Sequence, residues 1–429
     1  MKYAPLIAIL ICYIIRRHKI HPSLRYLVFS MCIVLSAVPI ISIVEVSKEL
    51  PGEFGKIAYL YPATVFAFIN LCKPLCKKVW VFNVGFLGLI LFLFANIYSY
   101  GSHFRMGILP PLLGIGQLVL FFYTIRTRYT LPKINEALFQ TFFCWTILEG
   151  FLTLCYPVLG IEKFAGLFSS VAEEWSLRRE NYASAVGTFP HPSQLAYMCA
   201  AFALYYFVCY LGDYKRNVAK YLMVINVLII FFTYSRTTYV ALFICLACVY
   251  VLFKQRTISI KYLGYFIVFL LLSYLATFIP VINNLFFHSD SNDMIDARMV
   301  HWLIGFDIWH EYPLLGCGIN SHVRYMQQNF SLLYNDFIVS NPIHNVHIIV
   351  LVETGIIGIL YWIFWQCKLI YVGYRTQLMK DSDQRSMGLL MVSLTLFTFI
   401  YGFFGWSIFN MTVYTPFLMI YILFSLVSR

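Results

Sequence analysis

The chain has 429 residues, of which 61% are hydrophobic, 19% aromatic and only 12% charged. A soluble chain of this length carries roughly twice that charged fraction, so a water-soluble globular fold is excluded. The net charge of +12 needs a different explanation from nucleic-acid binding, and its distribution along the chain supplies one.

Apolar runs near the bilayer-spanning length of about 18 residues recur throughout. They predict spans at 3–15, 25–46, 57–71, 79–100, 107–124, 137–159, 194–212, 219–234, 237–253, 262–282, 345–367, 387–404 and 407–427. The expected fold is all-α: a polytopic membrane protein with about 12–13 transmembrane helices, forming a single integral membrane domain over residues 1–429. The first run is short and lacks a small-residue cleavage site, so it reads as a short spanning or re-entrant segment rather than a secretory signal.

Between these runs the loops alternate in charge. One set holds 21 of the 31 Lys and Arg residues and the alternate set holds 10. Cytoplasmic loops carry the excess of positive charge, so the first set faces the cytoplasm and topology accounts for the net charge. The two longest loops, 160–193 and 283–344, then both lie on the extracytoplasmic face, together with the tight turn at Ser235-Arg236.

Arginines left on that face need a reason. Arg236 lies in FFTYSRTTYVALF between two apolar helices with almost no loop, where a guanidinium is costly without a counter-charge. It either pairs with a carboxylate such as Glu149, or snorkels to the interface, or clamps a phosphate with its planar fork. Arg298 begins ARMVHWLIGFDIWHEYPLLGCG. Its apolar residues recur at helical spacing with Trp302 and Trp309 alongside, the pattern of an interface-hugging helix, and PLLGCG reads as a turn; taken alone, Arg298 reads as a surface charge near Asp293 or Asp296.

The long outer loop ends in NPIHNVHIIVLVETGIIG. Asn341 and Pro342 predict a helix start, with Asn capping and Pro at the first helical position. That places His344 in the first turn, where a neutral, proton-accepting imidazole is favoured. His344 and His347 lie one turn apart, but no third ligand accompanies them, so a metal is not expected, nor is any cofactor. Glu353 falls on roughly the opposite helix face from His344 and is expected to be hydrogen-bonded within the bundle. Gly355 and Gly358 read as permitting close helix approach. Upstream, GTFPHPSQLA precedes another outer-face helix start, with His191 either at the interface or touching substrate. Asp381 and Asp383 form D-x-D in a short cytoplasmic loop and read as solvated turn acids. Cys245 and Cys248 form C-x-x-C inside a helix and read as packing residues.

At these residues the chain resembles the O-antigen polymerase and O-antigen ligase superfamily, over roughly residues 180–365. The resemblance rests on G-T-F-x-H-P-x-x-L-A at 187, T-x-S-R at 233, R-x-x-x-W followed by P-L-L-G-C-G over 298–318, and H-N with a downstream E-x-G-x-x-G over 344–358. It implies a metal-independent, inverting glycosyltransferase of the GT-C type in the bacterial inner membrane. Such an enzyme takes a glycan from undecaprenyl pyrophosphate on the extracytoplasmic face and passes it to an acceptor hydroxyl. Arg236 and Arg298 would neutralise the pyrophosphate and His344 would be the catalytic base. His191, Arg179, Asn345 and His347 are the candidate further substrate contacts.

The expected partners are an undecaprenyl-pyrophosphate-linked oligosaccharide, an acceptor glycan, the lipid bilayer, and in the cell a chain-length regulator and a flippase. A surface-polysaccharide polymerase is the first expectation. A ligase transferring to lipid A core or protein is the second, and a lipid-linked oligosaccharide transporter the third.

Overall fold

A computed structural model describes residues 4–38, 40–45, 57–71, 109–159, 185–189, 191–254, 290–379, 381–403 and 405–406. The expected spans 79–100, 262–282 and 407–427 lie outside these residues. Helices dominate: α1 (Ala4–Arg16), α2 (Arg25–Leu35), α3 (Pro62–Leu71), α4 (Leu109–Arg128), α5 (Leu131–Leu159), α6 (Pro192–Leu211), α7 (Arg216–Thr233) and α8 (Arg236–Lys254). After these come α9 (Asp290–Glu311), α10 (His322–Phe330), α11 (Asp336–Ser340), α12 (Val346–Gln377) and α13 (Ser382–Gly402). Six of the described helices are long and apolar enough to cross a membrane: most of α5, and α6, α7, α8, α12 and α13. The chain is an all-α, multi-pass membrane protein.

The N-terminal third departs from the hydropathy reading. Residues 25–46 do not form one span. Helix α2 stops at Leu35, and the chain continues as strand β1 (Ile41–Glu45), paired antiparallel with β2 (Ile57–Leu60). Ala37, with φ +48°, takes the left-handed conformation that ends the helix after its Ser36 cap. The β-branched run ISIVE that follows suits a strand. Residues 57–71 likewise divide into β2 and α3, with Pro62 opening the helix. Gln117 of α4 ties this corner together: its carbonyl accepts from the Tyr61 N–H at 2.7 Å and its amide donates to the Tyr59 carbonyl at 2.9 Å.

Helices α6, α7, α8, α12 and α13 pack through a large apolar core that includes Tyr197, Phe202, Tyr205, Phe397 and Tyr401. Their basic turns gather at one end. Lys215 pairs with Glu136 at the start of α5, Arg385 donates to the Phe253 carbonyl at 3.2 Å at the end of α8, and Arg16 donates to Gln140. The Asp381 carboxylate accepts from the Asp383 N–H at 3.0 Å and caps α13, so the D-x-D is a turn and cap.

At the opposite end the start of α6, the α7–α8 turn and the start of α12 come together. A hydrogen bond from the Ala185 N–H to the Phe232 carbonyl, 2.9 Å, fixes the 185–189 segment to the end of α7. The described part of the long loop lies over this end with its own core of Ile304, Ile308, Cys317, Tyr325, Met326, Ile343, Ile349 and Val352.

Candidate functional site

Helix α12 starts later than its sequence suggests. Asn341 is extended, and the cap is Asn345, whose side chain accepts from the Ile348 N–H at 3.1 Å. Asn345 stands directly before the apolar run, so its cap lets Ile343 and Val346 bury completely. His344 therefore precedes the cap rather than lying in the first turn. Asn345 is itself buried and engaged in capping.

His344 faces α9. Its ring stacks on His301 with centroids 5.7 Å apart and planes 7° from parallel. Trp406 meets it edge-on at 6.3 Å, and the same indole reaches His191 at 5.9 Å. Arg298 lies one turn before His301 on α9. The Arg298 Nε is buried without a hydrogen-bond partner, and among the described residues no carboxylate pairs with this guanidinium. Burial pulls the Arg298 pKa below its ordinary value. Burial first, then the neighbouring His301, Arg298 and His191, push the His344 pKa down to about 3, with the Pro342 carbonyl opposing. A neutral imidazole beside a partly buried cation is the result. Burial lowers the His301 pKa too.

A second unit adjoins this one. His322, at the start of α10, bonds through Nδ1 to the Glu353 carboxylate at 2.6 Å, and the Ser321 N–H donates to the same oxygen at 3.1 Å. Glu353 reaches His322 because α12 is broken immediately after it. Gly355 is non-helical, with φ +65° and ψ −168°. The turn at 313–318 docks into that break: the Cys317 N–H donates to the Val352 carbonyl at 2.9 Å, and the Ile356 N–H to the Pro313 carbonyl at 2.8 Å. A Cβ at Gly355 would stand 2.2 Å from the Leu314 carbonyl carbon, and one at Gly316 2.3 Å from that of Glu353. Gly355 is thus needed for a backbone break filled by a turn, not for helix–helix approach.

The other sequence candidates divide. His191 caps α6, its Nδ1 accepting from the Ser193 N–H at 3.1 Å, and shares Trp406 with His344. The preceding Thr188 bonds to the buried Glu149 through N–H, 3.1 Å, and hydroxyl, 2.5 Å. Arg236 stands exposed at the first position of α8, on the same end of the bundle. His347 turns toward α13. The Trp362 indole donates to its Nδ1 at 3.2 Å, and its Nε2–H donates to the Phe399 carbonyl at 3.0 Å, so both ring nitrogens are committed to packing. Arg179 lies outside the described residues.

Sequence reading passed over His301, His322 and Trp406. His301 carried a signal, being three residues from Arg298 on one helix face. Among the described residues no three His, Cys, Asp or Glu side chains converge closely enough to share a metal ion.

A partly buried guanidinium with no carboxylate partner among the described residues, beside a neutral imidazole, can bind an anion and take a proton. Residues 221–363 match the family model described as O-antigen ligase. The matched region, about a third of the chain, runs from within α7 into α12 and contains Arg236, Arg298, His301, His322, His344 and Glu353. For that region the match supports a relationship to the O-antigen ligase and polymerase superfamily. No curated protein matches the chain significantly. The match points, in general terms, to glycosyltransferase-like chemistry on a lipid-linked glycan and an acceptor.

Proposed function

We propose that this protein is a surface-polysaccharide polymerase of the bacterial inner membrane. It transfers a glycan from an undecaprenyl-pyrophosphate carrier to an acceptor sugar hydroxyl on the extracytoplasmic face. The observation that carries this reading is Arg298, partly buried near His344, with its Nε buried and no carboxylate partner among the described residues. A partly buried cation without a counter-ion is costly, and a pyrophosphate removes that cost on binding.

In the proposed step the acceptor oxygen attacks the anomeric carbon from the face opposite the leaving group. The C1–O bond to the pyrophosphate breaks as the new C1–O bond forms, inverting that centre. Arg298, with Arg236 at the rim, stabilises the charge developing on the departing undecaprenyl pyrophosphate. His344 takes the hydroxyl proton. The donor anion opposes the field of Arg298, so His344 gains proton affinity when the donor is in place.

The test is the surface-glycan pattern of a deletion strain complemented with variants. Arg298→Ala, Arg236→Ala and His344→Ala should each abolish long chains at unchanged protein levels. Single repeat units left on the lipid carrier identify a polymerase, and accumulated long lipid-linked chains identify a ligase. Wild-type chain length with Arg298→Ala would refute the anion site.

A further inference from the structure

The cluster holds more polar capacity than a pyrophosphate and one proton require. His301 and His322 are almost fully buried, 1% and 5% exposed, and each has a ring nitrogen with no partner among the described residues: Nδ1 of His301 and Nε2 of His322. Their other nitrogens are fixed. His301 Nε2–H donates to the Ile338 carbonyl at 2.8 Å, which makes Nδ1 a lone pair. His322 Nδ1 faces the Glu353 carboxylate at 2.6 Å, which directs Nε2 away from it. Buried polar atoms are nearly always satisfied in working proteins, so these two nitrogens are open to a group that can hydrogen-bond them.

That group is not phosphate. Phosphodiester oxygens bring no proton to a lone pair, and the Glu353 carboxylate repels an anion. A hydroxyl fits, because it donates to a lone pair or accepts from an N–H. The site is thus divided. Arg298 marks the anion end, and His301, His322 and Glu353 mark an end suited to neutral O–H groups, with His344 stacked on His301.

We propose that His301 and the His322–Glu353 pair form the acceptor-sugar subsite, each imidazole bonding a hydroxyl next to the one that reacts. This rests on the transfer reading above and names the group that receives the glycan. Glu353 is a positioning residue, acting through the orientation of His322. The docking of the 313–318 turn into the break at Gly355 gives the pair its place, since it brings Glu353 of α12 against the start of α10.

The test uses the full-length protein in lipid nanodiscs. The donor is lipid-linked glycan extracted from cells lacking this chain, and the acceptor is the free oligosaccharide released from that glycan by mild acid. His322→Gln should raise the acceptor KM about tenfold, the loss of roughly one hydrogen bond, and leave the donor KM within about twofold. Glu353→Gln keeps an oxygen for His322 and Ser321 and should raise the acceptor KM by a smaller factor. If His322→Gln does not yield folded protein, Glu353→Gln decides. An unchanged acceptor KM overturns the subsite, as does a parallel rise in both KM values with lowered thermal stability. If the wild-type protein transfers nothing, the transfer reading itself falls.

Discussion

Gly355→Ala tests how the site is assembled. The residue has φ +65°, and an alanine held there costs about 1 kcal/mol in backbone strain. Its Cβ would meet the carbonyl carbon and oxygen of Leu314 at 2.2 Å and the Leu315 nitrogen at 2.6 Å. Those are backbone atoms, so no rotamer change relieves the overlap, and the 313–318 turn must move off α12. Four hydrogen bonds break with it, from Ile356 to Pro313, Ile357 to Leu314, Cys317 to Val352 and Gly318 to Glu353, at about 1 kcal/mol each. The total is about 5 kcal/mol. Thermal unfolding of the full chain in detergent reads it, against Gly116→Ala in α4 as control. A Cβ at Gly116 meets nothing within 4 Å, so that change should be neutral or stabilise by up to about 1 kcal/mol. The acceptor KM should rise in the Gly355 variant because Glu353 no longer reaches His322. Wild-type stability in Gly355→Ala, or equal losses in the two variants, would refute this account of the break.

Three further outcomes are expected. Asn345→Ala should cost about 1 kcal/mol of stability, measured by the same unfolding assay, because it removes the α12 cap. His347→Phe should lower thermal stability but leave substrate KM values unchanged, since both ring nitrogens serve packing; a KM change alone would restore it as a substrate contact. The third outcome concerns pH. The folded pKa of His344, about 3, lies below its unfolded value near 6.5. Its contribution is therefore intact above pH 6.5 and declines as pH falls toward 3. The unfolded chain gains a proton that the native chain refuses, a loss of about 2 kcal/mol by pH 5. His344→Gln should remove that part of the acid slope in unfolding measured across pH. In the wild-type enzyme the acid limb of kcat should lie at higher pH than that of kcat/KM, because bound donor raises the proton affinity of His344.

Much of this was readable from sequence, and the failures have identifiable causes. Hydropathy located α6, α7 and α8 within about three residues and found α5, α12 and α13, each a long apolar run, though α5 starts six residues earlier and α12 ends ten residues later than expected. It misread residues 25–46, where an average over a window cannot see that a helix stops at Leu35 and a β-branched run begins. Arg298 and His344 were singled out because a stranded charge and a histidine beside a helix start stand out in an apolar chain. The cap was misplaced by four residues because Asn341 and Asn345 both suit the role, and only burial of Ile343 and Val346 selects the second. The His322–Glu353 pair was out of reach. Its members sit 31 residues apart, and they meet only because a glycine-rich turn fills a break in α12. No periodicity encodes that tertiary event.

The division of polarity across the site has a consequence for the order of binding. In the free protein Arg298, His301 and His191 all act to keep a proton off His344, and no carboxylate is among the groups that most affect it. The nearest described carboxylate bond in the cluster, that of Glu353, is spent on His322 and Ser321. A base so placed is weak until an anion offsets Arg298. The donor brings that anion, and a neutral acceptor sugar does not. Deprotonation of the acceptor is thereby tied to the presence of the donor, which should bind first. Steady-state kinetics with both substrates varied would give intersecting lines, with a dead-end acceptor analogue uncompetitive against the donor. Mixed inhibition in that pairing would mean that the acceptor enters without the donor, and the coupling through Arg298 would not set the order of binding.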